Sequence, residues 1–179
     1  YLLVFIDLIL FFIILFGSIF SVMWVKLSKI GKNPSIPLKF CFGIVQLALG
    51  FLLTQVGFQF VNEAYQVPLL TLVFLYMLHT TGELFLSPIG LSMVTKLSPK
   101  SMAGTAMGAW FLSFAIANYV GGKIAALTGG HGGGEVSSAE DGLLQYLDTF
   151  ATIGYVLLAI AALIFVLNKP IQKLMHGVE

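Results

Sequence analysis

The chain has 179 residues, 58% of them hydrophobic and 9% charged, with a mean hydropathy of +0.98. A water-soluble domain of this size needs a charged surface that this composition cannot supply, so the chain reads as an integral membrane protein. Nine basic residues, all lysine, against eight acids leave a net charge of +1 and no basic patch, which argues against nucleic acid as a partner.

Runs of about twenty mainly apolar residues mark membrane-spanning helices. Five are predicted, at about 2–25, 38–61, 69–95, 102–127 and 144–167, and no run carries a charged face of the kind a soluble amphipathic helix shows. The first run follows Tyr1 without a Met, a basic leader or a cleavage site, so it is expected to be a span rather than a secretory signal, with further sequence upstream. Asp7 sits near its outer start, close enough to reach the interface. The second run has Gly43, Gly50 and Gly57 at seven-residue spacing, a stripe that lets helix backbones approach closely. Cys41, in the same run, is the single cysteine and has no clustered ligand, so neither a disulfide nor a metal site is expected.

The third run holds the acid Glu83 about fourteen residues from its start and about thirteen from Lys96. At about 1.5 Å per residue this places the carboxylate roughly 20 Å from either end, near the membrane midplane. An ionised carboxylate there costs about 2.5–3.5 kcal/mol even on a lenient scale, so such groups face a cavity or a partner. Pro88 lacks a backbone donor and clashes with the carbonyl four residues back, and Gly82 and Gly90 flank the pair; a kink beside the acid is expected. Tyr76, His79 or Thr80, Glu83 and Ser87 recur at three- and four-residue steps and so share one face. On that face Glu83 could take a cationic group or a proton, with Ser87 hydrogen-bonding beside it. The alternative is a structural bond from a neutral Glu83 to a neighbouring helix. His79 could relay protons, but a lone helical histidine is more simply one hydrogen-bonded in place.

The fourth run opens with Gly104 and Gly108 in a GxxxG arrangement, again a packing signal. Trp110, Phe114 and Asn118 follow on one face, with Trp110 deeper than the interfacial belt; they form either ordinary packing or the wall of a ligand site. Lys123 lies near the outer end and can snorkel to the interface. The connector 128–142, with its GGHGGG stretch, reads as a flexible outer loop, and His131 has no second metal ligand nearby.

The connectors that carry Lys26, Lys29, Lys32 and Lys39, Lys96 and Lys100, and Lys169 and Lys173 alternate with two that carry acids and no lysine. By the positive-inside rule the lysine side is cytoplasmic, so the chain is expected to start outside and end inside. No G-x-S-x-G, H-E-x-x-H or phosphate-cradling loop is present, so no enzyme activity and no cofactor are expected.

The segment GELFLSPIGLSMVTKLSPKSMAGTAMGAWFLSFAIANYVGG, residues 82–122, resembles the tenth and eleventh helices of bacterial proton-dependent oligopeptide transporters, a branch of the major facilitator superfamily. The connector WVKLSKIGKNPSIPLKF at 24–40 is similar to that family's link from its eighth to its ninth helix. The resemblance implies an all-α integral membrane protein whose five helices form part of the carboxy-terminal bundle, helices eight to twelve. It further implies that Glu83 engages the amino end of a short peptide and takes part in proton coupling, that Ser87 is the serine of the family's S-P pair, and that Trp110 lines the peptide pocket. The family's amino-terminal bundle, with its E-x-x-E-R motif, and its seventh helix have no counterpart here. Its Q-S-x-N at the start of the eighth helix would fall on Ile6, Asp7, Leu8 and Ile9, which do not match. The resemblance thus points to proton-coupled uptake of di- and tripeptides across the bacterial inner membrane, by a larger transporter that supplies the missing bundle or other membrane subunits. The competing expectation is a truncated half-transporter that serves as a membrane scaffold or accessory subunit without transport.

Overall fold

The computed structural model describes residues 2–128 and 138–175, and over them the fold is helical throughout. The helices are α1 (Leu2–Lys29), α2 (Ile36–Phe58), α3 (Leu69–Leu97), α4 (Ala103–Thr128) and α5 (Ala139–Leu174), with a 3-10 turn at Lys100–Met102 between α3 and α4. The GGHGGG stretch and His131 lie outside the described residues.

The helix ends follow local chemistry rather than hydropathy alone. α1 continues past the apolar run to Lys29 and stops where Gly31 takes a φ of +67°, with the Gly31 and Lys32 amides donating back to the Ser28 and Leu27 carbonyls. Glycine ends helices in this way because it has no Cβ to clash in the left-handed region. α2 begins at Ile36, two residues before the predicted start, because Ser35 sits at its N-cap and Pro37 in its first turn. It ends at Phe58 rather than near 61, and the Gln59, Phe60 and Val61 amides close a turn on Val56, Gly57 and Phe58. α5 starts well before the predicted 144, because the Ser138 hydroxyl accepts from the Asp141 amide at 3.1 Å and Glu140 and Asp141 favour the positive end of the helix dipole. α3 runs unbroken through Pro88, which leaves the Leu84 carbonyl without its helical donor.

Among the described residues, four helical stretches are by length and composition apolar enough to cross a membrane: Ile6–Lys29, Ile36–Phe58, Leu69–Leu97 and Ala139–Leu174. α4, at 26 residues, is also long enough to cross.

α2 is the centre of the bundle, packed along α3 on one side and α5 on the other; α1 leans on α3, and α4 touches α3 and, more lightly, α5. Lipid is as apolar as a leucine side chain, so these contacts depend on close van der Waals fit rather than on hydrophobic burial. The glycine stripe of α2 supplies that fit. An ideal Cβ on Gly43 would lie 2.9 Å from the Gly82 carbonyl oxygen, and one on Gly82 would lie 2.8 Å from the Gly43 oxygen, so the two backbones meet directly. Gly50 faces His79 and Gly57 faces Thr71 along the same seam. Gly104 and Gly108 behave otherwise: nothing lies within 4 Å of their Cβ positions among the described residues, so the GxxxG of α4 does not pack here. α4 touches its neighbours through a different face, that of Trp110.

Aromatic rings hold α1 to α3. Phe85 takes the rings of Phe20 and Trp24 edge-on, with centroids 4.9 and 5.2 Å away. At the lysine-rich end, the buried Lys39 places its ammonium 4.7 Å from the Trp24 ring, and Ser35 donates to Asn168 at 2.8 Å, tying the start of α2 to α5.

Candidate functional site

α3 presents His79, Glu83, Leu86 and Ser87 to an open cleft whose volume is about 660 Å³. The helix repeat explains the grouping: residues 79, 83 and 87 are spaced by four and stack on one face. α2 closes one side with Phe40, Ile44 and Leu47, and α4 closes the other with Trp110, Ser113, Phe114 and Ala117. The volume falls in the range of small-molecule sites, and so does the recipe of apolar walls with a few convergent polar groups.

The structure therefore brings Glu83, Ser87 and Trp110 into one cleft. Glu83 is exposed to it and makes no hydrogen bond or ion pair among the described residues. Ser87 and Trp110 are half-buried. The Trp110 indole meets Phe114 edge-on, with centroids 6.0 Å apart, and its far edge rests on the backbone of α3 at Gly90.

The rest of the predicted stripe separates. Thr80 is buried at 4% exposure and does not line the cleft, and neither does Tyr76. Asn118 also falls outside: its amide donates to the Phe114 carbonyl at 2.9 Å, one turn back in its own helix. Four-residue spacing put Asn118 in line with Trp110 and Phe114, but Ser113 and Ala117 take the cleft-facing places instead. Lys123 reaches back over the Tyr119 ring at 5.6 Å, and Asp7 is exposed.

His79 wedges into the space left by Gly50, with Phe51 stacked at a centroid distance of 4.5 Å. The ring engages the Leu47 backbone carbonyl, while its buried Nε2 has no hydrogen-bond partner. Among the described residues no three His, Cys, Asp or Glu side chains converge as a metal site would require.

Sequence reasoning missed Phe40, Ile44, Leu47, Leu86, Ser113 and Ala117. Only the crossing of α2 and α4 over α3 selects them, and no local signal separates a cleft-facing leucine from a lipid-facing one. Chemically, the cleft offers one carboxylate beside a hydroxyl, opposite a large aromatic wall. It suits a ligand with a cationic group at one point and an apolar or aromatic side chain a few ångströms away.

The profile of the POT family matches residues 5–133. The chain is 37% identical over 150 residues to the dipeptide and tripeptide permease A of Edwardsiella piscicida, an alignment covering 84% of this chain and 30% of that protein. It superposes with a TM-score of 0.77 and 32% identity on a crystal structure of a peptide transporter POT in complex with sulfate, covering 95% of this chain and 31% of that one. A crystal structure of a POT family transporter in complex with a thioalcohol-conjugated peptide superposes with a TM-score of 0.75 and 28% identity, covering 92% and 30%. The chain thus spans about 30% of the length of the relatives it matches.

Proposed function

The chain belongs to the POT family, and we propose that it forms the larger part of the carboxy-terminal bundle of a bacterial inner-membrane transporter that takes up di- and tripeptides together with protons. The observation that carries this reading is the convergence of Glu83, Ser87 and Trp110 on one cleft of about 660 Å³. The relatives' names, dipeptide and tripeptide permease and peptide transporter, support the substrate class.

In this reading Glu83 holds the ammonium group of the peptide. At about 4 Å and an effective dielectric of ~20, such a pair is worth about 4 kcal/mol before desolvation. A protonated Glu83 loses most of that attraction, so the carboxyl gives up its proton as the ammonium docks, and in this reading the proton moves on as the peptide is bound. Ser87, one turn along, donates to or accepts from the peptide backbone, and Trp110 with Phe114 walls a pocket for a side chain. The missing bundle faces the open side of the cleft where Glu83 is exposed, and rocking of the two bundles exposes the site alternately to each side. The lysine-bearing connectors and the C-terminal end of α5 face the cytoplasm.

The test is Glu83→Gln in the complete transporter reconstituted into liposomes. Gradient-driven accumulation of a dipeptide is expected to fall to background, because the amide can neither carry a proton nor pair with an ammonium. Accumulation at the wild-type rate would sink the role assigned to Glu83.

A further inference from the structure

The Trp110 wall depends on a residue that does not itself line the cleft. Gly90 lies on α3, three residues beyond Ser87, and is buried. A Cβ placed there would overlap Cη2 of Trp110 and would lie 2.8 Å from Cζ2 and 3.2 Å from Cζ3. All three atoms belong to the six-membered ring, the end of the side chain farthest from the α4 backbone. Nine in ten real Cβ contacts are longer than 3.4 Å, so the indole occupies the volume that any side chain at 90 would need.

The glycines of the α2–α3 crossing do different work. Gly43 and Gly82 bring backbone against backbone, and a side chain at either would push helices apart. At Gly90 the neighbouring atoms belong to a side chain alone. A tryptophan ring is rigid and turns only about its two side-chain torsions, so it cannot yield at its tip without swinging as a whole. Phe114 stands edge-on beside it, and the open volume next to the ring is the cleft.

We propose that Gly90 is a positioning residue that sets the size of the side-chain pocket: by lacking a side chain it lets the Trp110 ring lie back against α3. This rests on the peptide-transport reading. Any side chain at position 90 lifts the ring into the cleft and takes room from the side chain of a bound peptide. The loss grows with the bulk of that side chain and leaves the Glu83 end untouched.

The experiment uses the complete transporter in liposomes, with initial uptake rates measured against concentration for Ala-Ala and Ala-Phe. For Gly90→Ala we expect KM for Ala-Phe to rise about tenfold or more, while KM for Ala-Ala changes by less than about twofold, a discrimination of the size that one methyl group produces in a pocket. The maximal rate for Ala-Ala stays at the wild-type value. Trp110→Phe removes the ring atoms that meet position 90, so adding it to Gly90→Ala should return KM for Ala-Phe to that of Trp110→Phe alone. An unchanged Ala-Phe to Ala-Ala ratio in Gly90→Ala, or a double variant no better than Gly90→Ala, would overturn the proposal. If Gly90→Ala fails to reach the membrane, recovery of the protein by Trp110→Phe supports the shared space, and failure of both variants refutes it. Wild-type uptake of neither dipeptide would overturn the peptide reading, and this inference with it.

Discussion

The α2–α3 crossing at Gly43 and Gly82 allows a quantitative test of what holds this bundle together. In Gly43→Ala the new methyl carbon would lie 2.9 Å from the Gly82 carbonyl oxygen and 2.9 Å from Cγ of Leu86. Leu86 can turn away, but the carbonyl is fixed in the helix. To reach an ordinary contact, α2 must move from α3 by about half an ångström, and a densely packed seam transmits that shift to Gly50 and Gly57. Overpacking of this kind costs about 1–3 kcal/mol. For a chain of this length about 2 kcal/mol corresponds to a fall in Tm of about 4–8 °C. The control is Gly17→Ala: nothing lies within 4 Å of that Cβ position, and alanine is the better helix former. Thermal unfolding in mild detergent of wild type and both variants decides the matter. A Gly43→Ala protein that unfolds no earlier than Gly17→Ala would refute the claim that backbone contact at the crossing, rather than general apolar contact, holds α2 to α3.

Two further expectations come from single groups. Tyr65, in the connector between α2 and α3, donates its phenol proton to Glu140 at 2.8 Å, and this hydrogen bond, with the nearby negative charge, raises its pKa above the ordinary 10.0. The proton is held more tightly in the folded state, so the contact's contribution is complete below pH 10 and lost as pH rises through the raised value. A tyrosinate absorbance titration of wild type minus Tyr65→Phe should show one phenol with a midpoint above the ordinary value; a midpoint at or below it would show that the outer connector is not tied to α5. Cys41 is 6% exposed and its thiol donates to the Ala161 carbonyl at 3.4 Å, in the seam between α2 and α5. A membrane-permeant maleimide should therefore label it at least about 100-fold more slowly in the folded protein than after denaturation. Equal rates would mean that the seam is open.

Much of the site was legible because few chemical alternatives exist inside a membrane. An acid near the middle of an apolar run has to be accommodated by a cavity or a partner, so Glu83 stands out from composition alone, and Ser87 follows from the helix repeat. The spacing of Gly43, Gly50 and Gly57 marked a packing seam, and α3 lies along it. Gly104 and Gly108 give the same signal but meet nothing within 4 Å among the described residues, because a small-residue pattern records only that close approach is possible. Sequence spacing also placed Asn118 with Trp110 and Phe114, and Tyr76 and Thr80 with Glu83, although none of the three lines the cleft: which positions of a stripe face it depends on how the neighbouring helices cross.

The sequence by itself determined that this is an apolar, helical membrane chain, roughly where its helices fall, and which acid stands in the middle of an apolar run. Those properties are local, since hydropathy, capping residues and the helix repeat act within a few turns. Only the tertiary structure decided which faces meet: that α2 runs between α3 and α5, that Trp110 arrives opposite Glu83, and that its ring rests on Gly90. Helix crossings depend on the fit of side chains far apart in sequence, and in lipid no gradient of polarity fixes them in advance. A glycine in the middle of an apolar helix looks the same in sequence whether it meets a carbonyl, an indole or nothing.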